Sequence, residues 1–274
     1  MIERDKAYQA KIDKVSKELA LAWKTGGSIR PLLKDLWPSN LQEAYDIQDA
    51  LDSELKEDLA GWKIGMTSKK SMAAQGLNHP PMFGRLYKYI TQNNPAKFQL
   101  SGFRNSPMLE GEFALRLGED LPCRSKPYTI DEVRGSVEAV VMAIDAVDTR
   151  WGSHPFELDI FQGNADNACA GAFVIGDEIP DWQNLDLSKL PVNLYLDGEL
   201  TTGEPWPRDQ RCDYEEMVKA LHWAANELSR RRLGFKKGQI VSTGSPHEPI
   251  PCQTGSEVII KYGNIGEIKA TFMD

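Results

Sequence analysis

Cysteine is scarce and scattered: Cys123, Cys169, Cys212 and Cys252 form no C-x-x-C pair and do not cluster with the four histidines as a zinc site would. That spacing argues against a disulfide scaffold and for reduced thiols in structural roles. No apolar run approaches the ~20 residues that cross a bilayer, so no membrane span is expected. An excess of basic charge is also missing. The net charge is −8, which argues against nucleic acid as a partner. The one basic run, RRRLGFKK at 230–237, lies near a predicted helix end, where cations favour the helix dipole. There is no Walker motif, dinucleotide-type glycine fingerprint, internal repeat or low-complexity tract. KYGNIGE, at 261–267, sits in a hairpin context, where turn chemistry explains its glycines. The opening MIERDKAYQAKIDK is charged from its third residue and lacks a secretory apolar core, so a cytoplasmic protein is expected.

What remains is an ordinary globular chain of 274 residues, 41% hydrophobic and 26% charged, long enough for one large domain with an N-terminal extension. Ile12, Val15 and Leu19, with Leu21 or Trp23, space an amphipathic helix ending near Lys24. Asn40-Leu-Gln-Glu43 has the form of a capping box opening a helix to about Leu59, with Gly61 as its stop. WKIGMTS, 62–68, follows as a short strand. Thr129-Ile-Asp-Glu132 is a second capping box, and VEAVVMAIDAVDTRW, 137–151, reads as a strand covered on both faces. Asp197-Gly198 marks a hairpin within 193–202. Asp213-Tyr-Glu-Glu216 caps a helix ending around Gly234, GQIVSTGS at 238–245 returns as a strand, and 257–272 closes as a hairpin. Helices gather at the N-terminus and strands dominate afterwards, an α+β order with a helical region at 1–60 and a β-rich region at 61–274.

MLEGEFALRL, 108–117, places Glu110 and Glu112 one residue apart among apolar side chains. On a strand both acids and Ala114 share a face, while Phe113, Leu115 and Leu117 point the other way. Such a pair reads either as a solvated acidic face or as a ligand-binding one. Asp145 interrupts an otherwise apolar run from Ala139 to Val147, and a carboxylate there needs a cation or several hydrogen bonds unless the strand end frays into water. Asp148 would face the opposite side of a regular strand from Asp145. His79, His154, His222 and His247 show no spacing that implies a triad, and His222 beside Trp223 reads as helix packing.

Taken in order, GWKIGMTSKK (61–70), PMFGRLY (81–87), EGEFALRLGEDLP (110–122), AIDAVDTRW (143–151), ADNACAGAFVIGD (165–177) and VSTGS (241–245) form a recognisable series. The series resembles the 2-keto-4-pentenoate hydratase and oxalocrotonate decarboxylase branch of the fumarylacetoacetate hydrolase superfamily, from about residue 40 to the C-terminus. The resemblance implies a mixed β-sheet roll with an N-terminal helical region, and a divalent cation, Mg2+ or Mn2+, held by Glu110, Glu112 and Asp145. Three carboxylates suit such a hard cation. It implies a catalytic role for Lys63, in binding a substrate carboxylate or shuttling a proton, provided burial lowers its pKa toward neutrality. Ser68, Asn167, Thr243 and Ser245 lie in matching motifs and are implied substrate-binding residues.

The implied reaction is hydration of a 2-hydroxy-2,4-dienoate or 2-oxo-4-enoate to a 4-hydroxy-2-oxo acid in aromatic-compound degradation. Decarboxylation of an unsaturated 2-oxo dicarboxylate uses the same electron sink. An acylpyruvate-type hydrolase and a non-catalytic subunit are further alternatives. A homo-oligomer is expected, associated with a partner enzyme of the pathway. Three positions depart from the hydratase pattern: Asp145 where Glu is usual, Met82 where P-D-F-G is common, and Cys169 where D-N-A-S is frequent.

Overall fold

A computed structural model describes residues 2–29, 34–67, 81–152, 154–201, 213–252 and 255–273. Helix α1 (Ile2–Thr25) buries Ile12, Val15, Leu19 and Trp23. Leu21, on the opposite face, is exposed, so of the two expected positions Trp23 carries the stripe. Helix α2 (Leu41–Leu55) begins where the Asn40 side chain accepts the Glu43 N–H. Glu43 does not return the bond to Asn40. Its carboxylate takes the Ser39 N–H at 2.6 Å and pairs with Lys11 at 2.9 Å, which ties α2 to α1. The helix stops at Leu55, short of the expected Leu59, because Lys56 turns left-handed (φ 58°) and closes the last turn onto Asp52.

Gly61 does not end a helix; it lies inside strand β1 (Leu59–Gly65). The strands that follow are β2 (Met82–Tyr87), β3 (Thr91–Asn93), β4 (Ala96–Gln99) and β5 (Met108–Leu117). The Thr129 capping box forms in both directions and opens α3 (Ile130–Gly135), which feeds β6 (Val137–Val147). Then come α4 (Ile160–Ala165), β7 (Ala170–Glu178), and the hairpin β8 (Val192–Leu196) and β9 (Glu199–Leu200). Asp197 and Gly198 both hold positive φ, as a two-residue hairpin turn requires. Helix α5 (Tyr214–Arg230), capped by Asp213, leads to β10 (Ile240–Ser242), β11 (Ile250–Pro251), β12 (Glu257–Tyr262) and β13 (Gly266–Met273).

Among the described residues the strands form two mixed sheets. The larger runs β2-β1-β10-β5-β6-β7-β3, with β11 also on β5; the smaller runs β4-β13-β12-β8-β9. Alternation along β5 and β6 sorts their side chains. Leu109, Phe113, Leu115, Val140, Met142 and Ile144 join the core against the smaller sheet, together with Ile260 and Ile268. Ala114, Ala139, Val141 and Ala143 point the other way and pack with α1 and α2 residues such as Leu19, Ile47 and Leu51. The basic run after α5 is absorbed by acids: Arg231 pairs with Asp46 and Asp49 of α2, and Lys236 with Asp120. The α+β expectation holds, and no helix among the described residues is long and apolar enough to cross a membrane.

Parallel strands β1 and β10 meet at Gly61 and Ile240 so closely that a Cβ on Gly61 would lie 1.9 Å from the Ile240 carbonyl oxygen. Gly61→Ala should therefore part the strands and lower stability by ~2 kcal/mol or more in denaturant titration. Gly65→Ala, four residues on with no atom within 4 Å of the added carbon, should stay within ~1 kcal/mol of the parent.

Candidate metal and active site

Antiparallel pairing sets Glu110 directly opposite Asp145, and Glu112 opposite Ala143. Cross-strand partners share a face, so the three acids converge on the helix-facing side, with one carboxylate oxygen from each within 4.8 Å of the others. Asp145 is 1% exposed, inside its strand and not fraying at the end, and Glu112 is 3% exposed. The glycine between the glutamates has a packing cause. On the opposite face, a Cβ at Gly111 would sit 3.0 Å from Val192, Ile260 and His247 at once. From the smaller sheet, the Tyr262 hydroxyl reaches the carbonyls of Glu112 (2.9 Å) and Ala143 (2.7 Å), bracing both acid-bearing strands from below.

Buried like charges disfavour their own ionisation. Burial, with Asp145 adding to it and Lys63 opposing, pushes the Glu110 carboxyl up to about 7. Glu112 rises well above its usual range through burial, Asp145 and Glu110. Asp145 is raised by burial against the pull of Lys63. Lys63 reaches over from β1 and ion-pairs with Asp145. Its register partner is Ser242, which in turn faces Ala114, so the lysine side chain crosses the face of β10 and β5 to reach β6. The small Ala114 leaves that path open.

Around Lys63, burial pulls the ammonium down, but in the metal-free site Asp145, Glu110 and Glu112 outweigh it and leave the pKa raised, so the expected shift toward neutrality is not reached there. Lys63 is the cation of the site as it stands.

The donor set suits a hard divalent cation. Glu112 Oε2 and Asp145 Oδ1 are buried without hydrogen-bond partners, so oxygens are left over after the protein's own contacts are counted. Asp148 does not join them: its carboxylate takes the N–H groups of Arg104 (2.6 Å) and Asn105 (3.0 Å), closing a loop elsewhere.

The implied substrate-binding residues separate. Ser68 lies outside the described residues. The Asn167 amide is engaged in both directions with the Arg85 backbone, at 2.6 Å each, so it clasps β2 to the turn 167–169. That turn needs the clasp, since Asn167, Ala168 and Cys169 all hold positive φ. Thr243 is buried, and its carbonyl accepts from the Thr67 hydroxyl at 3.1 Å. Ser245 faces the Gly111 carbonyl at 3.2 Å and the His247 carbonyl at 2.8 Å.

Two residues near the acids were not singled out in the sequence. Ser242, within the VSTGS stretch, is buried on the Lys63 face with an unpartnered hydroxyl. His247 accepts the Gly111 N–H on Nε2 at 3.1 Å and donates from Nδ1 to the Glu248 carbonyl at 2.7 Å, which assigns its tautomer. No periodicity marks it.

No family model matches the chain. A curated relative, the 2-keto-4-pentenoate hydratase of Burkholderia vietnamiensis, is 26% identical over 268 residues, 96% of this chain and 98% of the relative. The 4-oxalocrotonate decarboxylase of Pseudomonas putida is 23% identical over 256 residues, 89% and 90% of the two. Among solved structures, 4-oxalocrotonate decarboxylase from Pseudomonas putida G7, complexed with magnesium and adipate, superposes with a TM-score of 0.80 at 20% identity. The match covers 97% of this chain and 98% of that one. The resemblance read from the ordered motifs thus extends over nearly the whole chain, and the fold is the one it implied.

In metal-free protein the raised acids give a pH signature. A folded carboxyl with an elevated pKa keeps a proton that the unfolded chain has released, so stability is present at low pH and falls as pH rises through the window. For Glu110 that window runs from its ordinary 4.5 to about 7. Melting temperatures in EDTA should fall across it in the parent. Glu110→Gln should flatten the curve and gain on the order of 1 kcal/mol over the parent above the window; parallel curves would show that Glu110 is not strained by its neighbours.

Proposed function

We propose that this chain, whose relatives over nearly its whole length are 2-keto-4-pentenoate hydratases and 4-oxalocrotonate decarboxylase, is a divalent-metal-dependent hydratase. Its substrate would be a 2-hydroxy-2,4-dienoate or its 2-oxo-4-enoate tautomer, and its product a 4-hydroxy-2-oxo acid. The observation that carries the reading is the buried meeting of Glu110, Glu112 and Asp145, with two oxygens unpartnered and Lys63 beside them. These three acids would hold Mg2+ or Mn2+. Bound there, the cation would supply Lewis-acid polarisation of the substrate's 2-oxo oxygen, which makes C4 electrophilic toward water once protonation at C5 has carried the dienol to the conjugated 2-oxo-3-enoate.

The chain's own groups do the rest. Lys63, ion-paired with Asp145 at the edge of the acid cluster, would offer a positive charge to a substrate carboxylate and a proton to C5 as the dienol tautomerises. Its buried setting strengthens both interactions.

Decarboxylation of an unsaturated 2-oxo dicarboxylate is the second reading. It is supported by the 4-oxalocrotonate decarboxylase of Pseudomonas putida, which matches 89% of this chain.

Purified protein should consume a 2-hydroxy-2,4-dienoate, followed by ultraviolet absorbance, only with Mg2+ or Mn2+ present and without releasing CO2. Release of CO2 from an oxo-enedioate at much higher kcat/KM moves the assignment to the decarboxylase. Lys63→Met should lower kcat by ~10²- to 10⁴-fold while leaving the fold intact, and activity within about threefold of the parent would remove Lys63 from the chemistry. Added Mg2+ should raise the melting temperature of the parent and not of Glu112→Gln, by linkage of binding to folding. Equal shifts in both proteins would sink the shared-cation reading.

A further inference from the structure

Strand β5 is paired with β6 along its whole length on one edge, but on the other edge its ladder has a hole. β10 covers Ala114–Arg116 and β11 covers Met108 and Leu109, so residues 110–113, where both glutamates lie, have no strand beside them among the described residues. A buried strand edge cannot leave its N–H and C=O groups unpaired without losing the worth of those bonds.

The loop between β10 and β11 fills the hole with side chains. His247 Nε2 accepts the Gly111 N–H at 3.1 Å, and the Ser245 hydroxyl shares its proton between the His247 carbonyl at 2.8 Å and the Gly111 carbonyl at 3.2 Å. Ser245 and His247 are joined to each other: the serine oxygen accepts the His247 N–H at 3.2 Å, and His247 is locked by its Nδ1 bond to the Glu248 carbonyl. His247 is 1% exposed and lies under the strand, away from the acid face.

We propose that Ser245 and His247 are positioning residues that seat Gly111, and through it set the spacing of Glu110 and Glu112 against Asp145. They act in place of a missing ladder strand, not as substrate-contacting groups. The consequence for metal rests on the cation reading given above; the seating itself does not. A strand would hold residue 111 as well; here two side chains of one loop take its place.

Two readouts separate the parts. Hydrogen exchange of the 108–113 segment in EDTA reads the seating, and Mn2+ titration followed by electron paramagnetic resonance reads its consequence. His247→Leu removes the acceptor of the Gly111 N–H, and Ser245→Ala removes the hydroxyl that ties His247 to the Gly111 carbonyl. Each should speed exchange in that segment relative to the rest of β5 and weaken Mn2+ binding by about 10- to 100-fold, the range for groups that orient metal ligands. His247→Gln, which can present an acceptor oxygen near the Nε2 position, should recover affinity to within about threefold of the parent. A purely structural role lowers the melting temperature of His247→Leu with Mn2+ affinity unchanged, and that result overturns the proposal. If His247→Leu does not fold, unchanged exchange and affinity in Ser245→Ala overturn it equally. A parent that takes up no Mn2+ sinks the metal reading alone, and the seating then stands or falls on the exchange data.

Discussion

The pairing register of β5 and β6 is the constraint on which the candidate site depends. Glu110 faces Asp145 across that pair, and a slip of one residue would turn Asp145 to the other side of the sheet and bury it against the apolar smaller sheet. The register is held because both faces are committed. Phe113, Leu115, Met142 and Ile144 fill the space against the smaller sheet, and each large apolar side chain so buried contributes about 1.5–3 kcal/mol. Several such contacts exceed what three crowded carboxylates can cost when protons and Lys63 relieve them. The acids are thus held together by packing on the face they do not occupy.

The helical region bears on the same constraint through a second buried acid. Asp166 is 0% exposed and takes the Trp23 indole N–H of α1 at 2.8 Å, the Thr149 hydroxyl at 3.0 Å and the Arg150 N–H at 2.6 Å. Burial raises its pKa, while Arg150 and these donors work the other way. The Arg150 guanidinium lies 3.6 Å over the Trp23 ring and donates to the Ala170 carbonyl at 2.7 Å. One side-chain group therefore joins α1, the end of β6 and the start of β7. Two kinds of buried acid follow from this contrast: Asp166 is surrounded by donors and serves the fold, whereas Glu112 and Asp145 retain unpartnered oxygens.

Much of the architecture was legible because it rests on local rules. Apolar alternation identified β5 and the two-faced burial of β6, Asp197-Gly198 specified a hairpin through its positive φ values, and Thr129 with Glu132 formed a reciprocal cap. Where a local rule met a tertiary demand, the local rule lost. Gly61 looked like a helix stop but answers to the Ile240 carbonyl across the sheet, and Glu43 left its capping partner for Ser39 and Lys11. Asn167 and Ser245 sat in motif-matching stretches, and their polar atoms meet backbone groups 82 and 134 residues away, which short-range pattern does not show.

By itself the sequence determined the identity of the acids, their shared face, the α+β order and the motif series behind the family resemblance, since each depends on residue type and short-range periodicity. The charge state of Lys63 was beyond it, because burial and three carboxylates pull in opposite directions and their balance depends on distances set by β1, β10, β5 and β6 together. The role of His247 was beyond it for the same reason. A gap in a ladder exists only once the strands on either side of it have paired, and only then does a histidine from a distant loop become the acceptor that Gly111 needs.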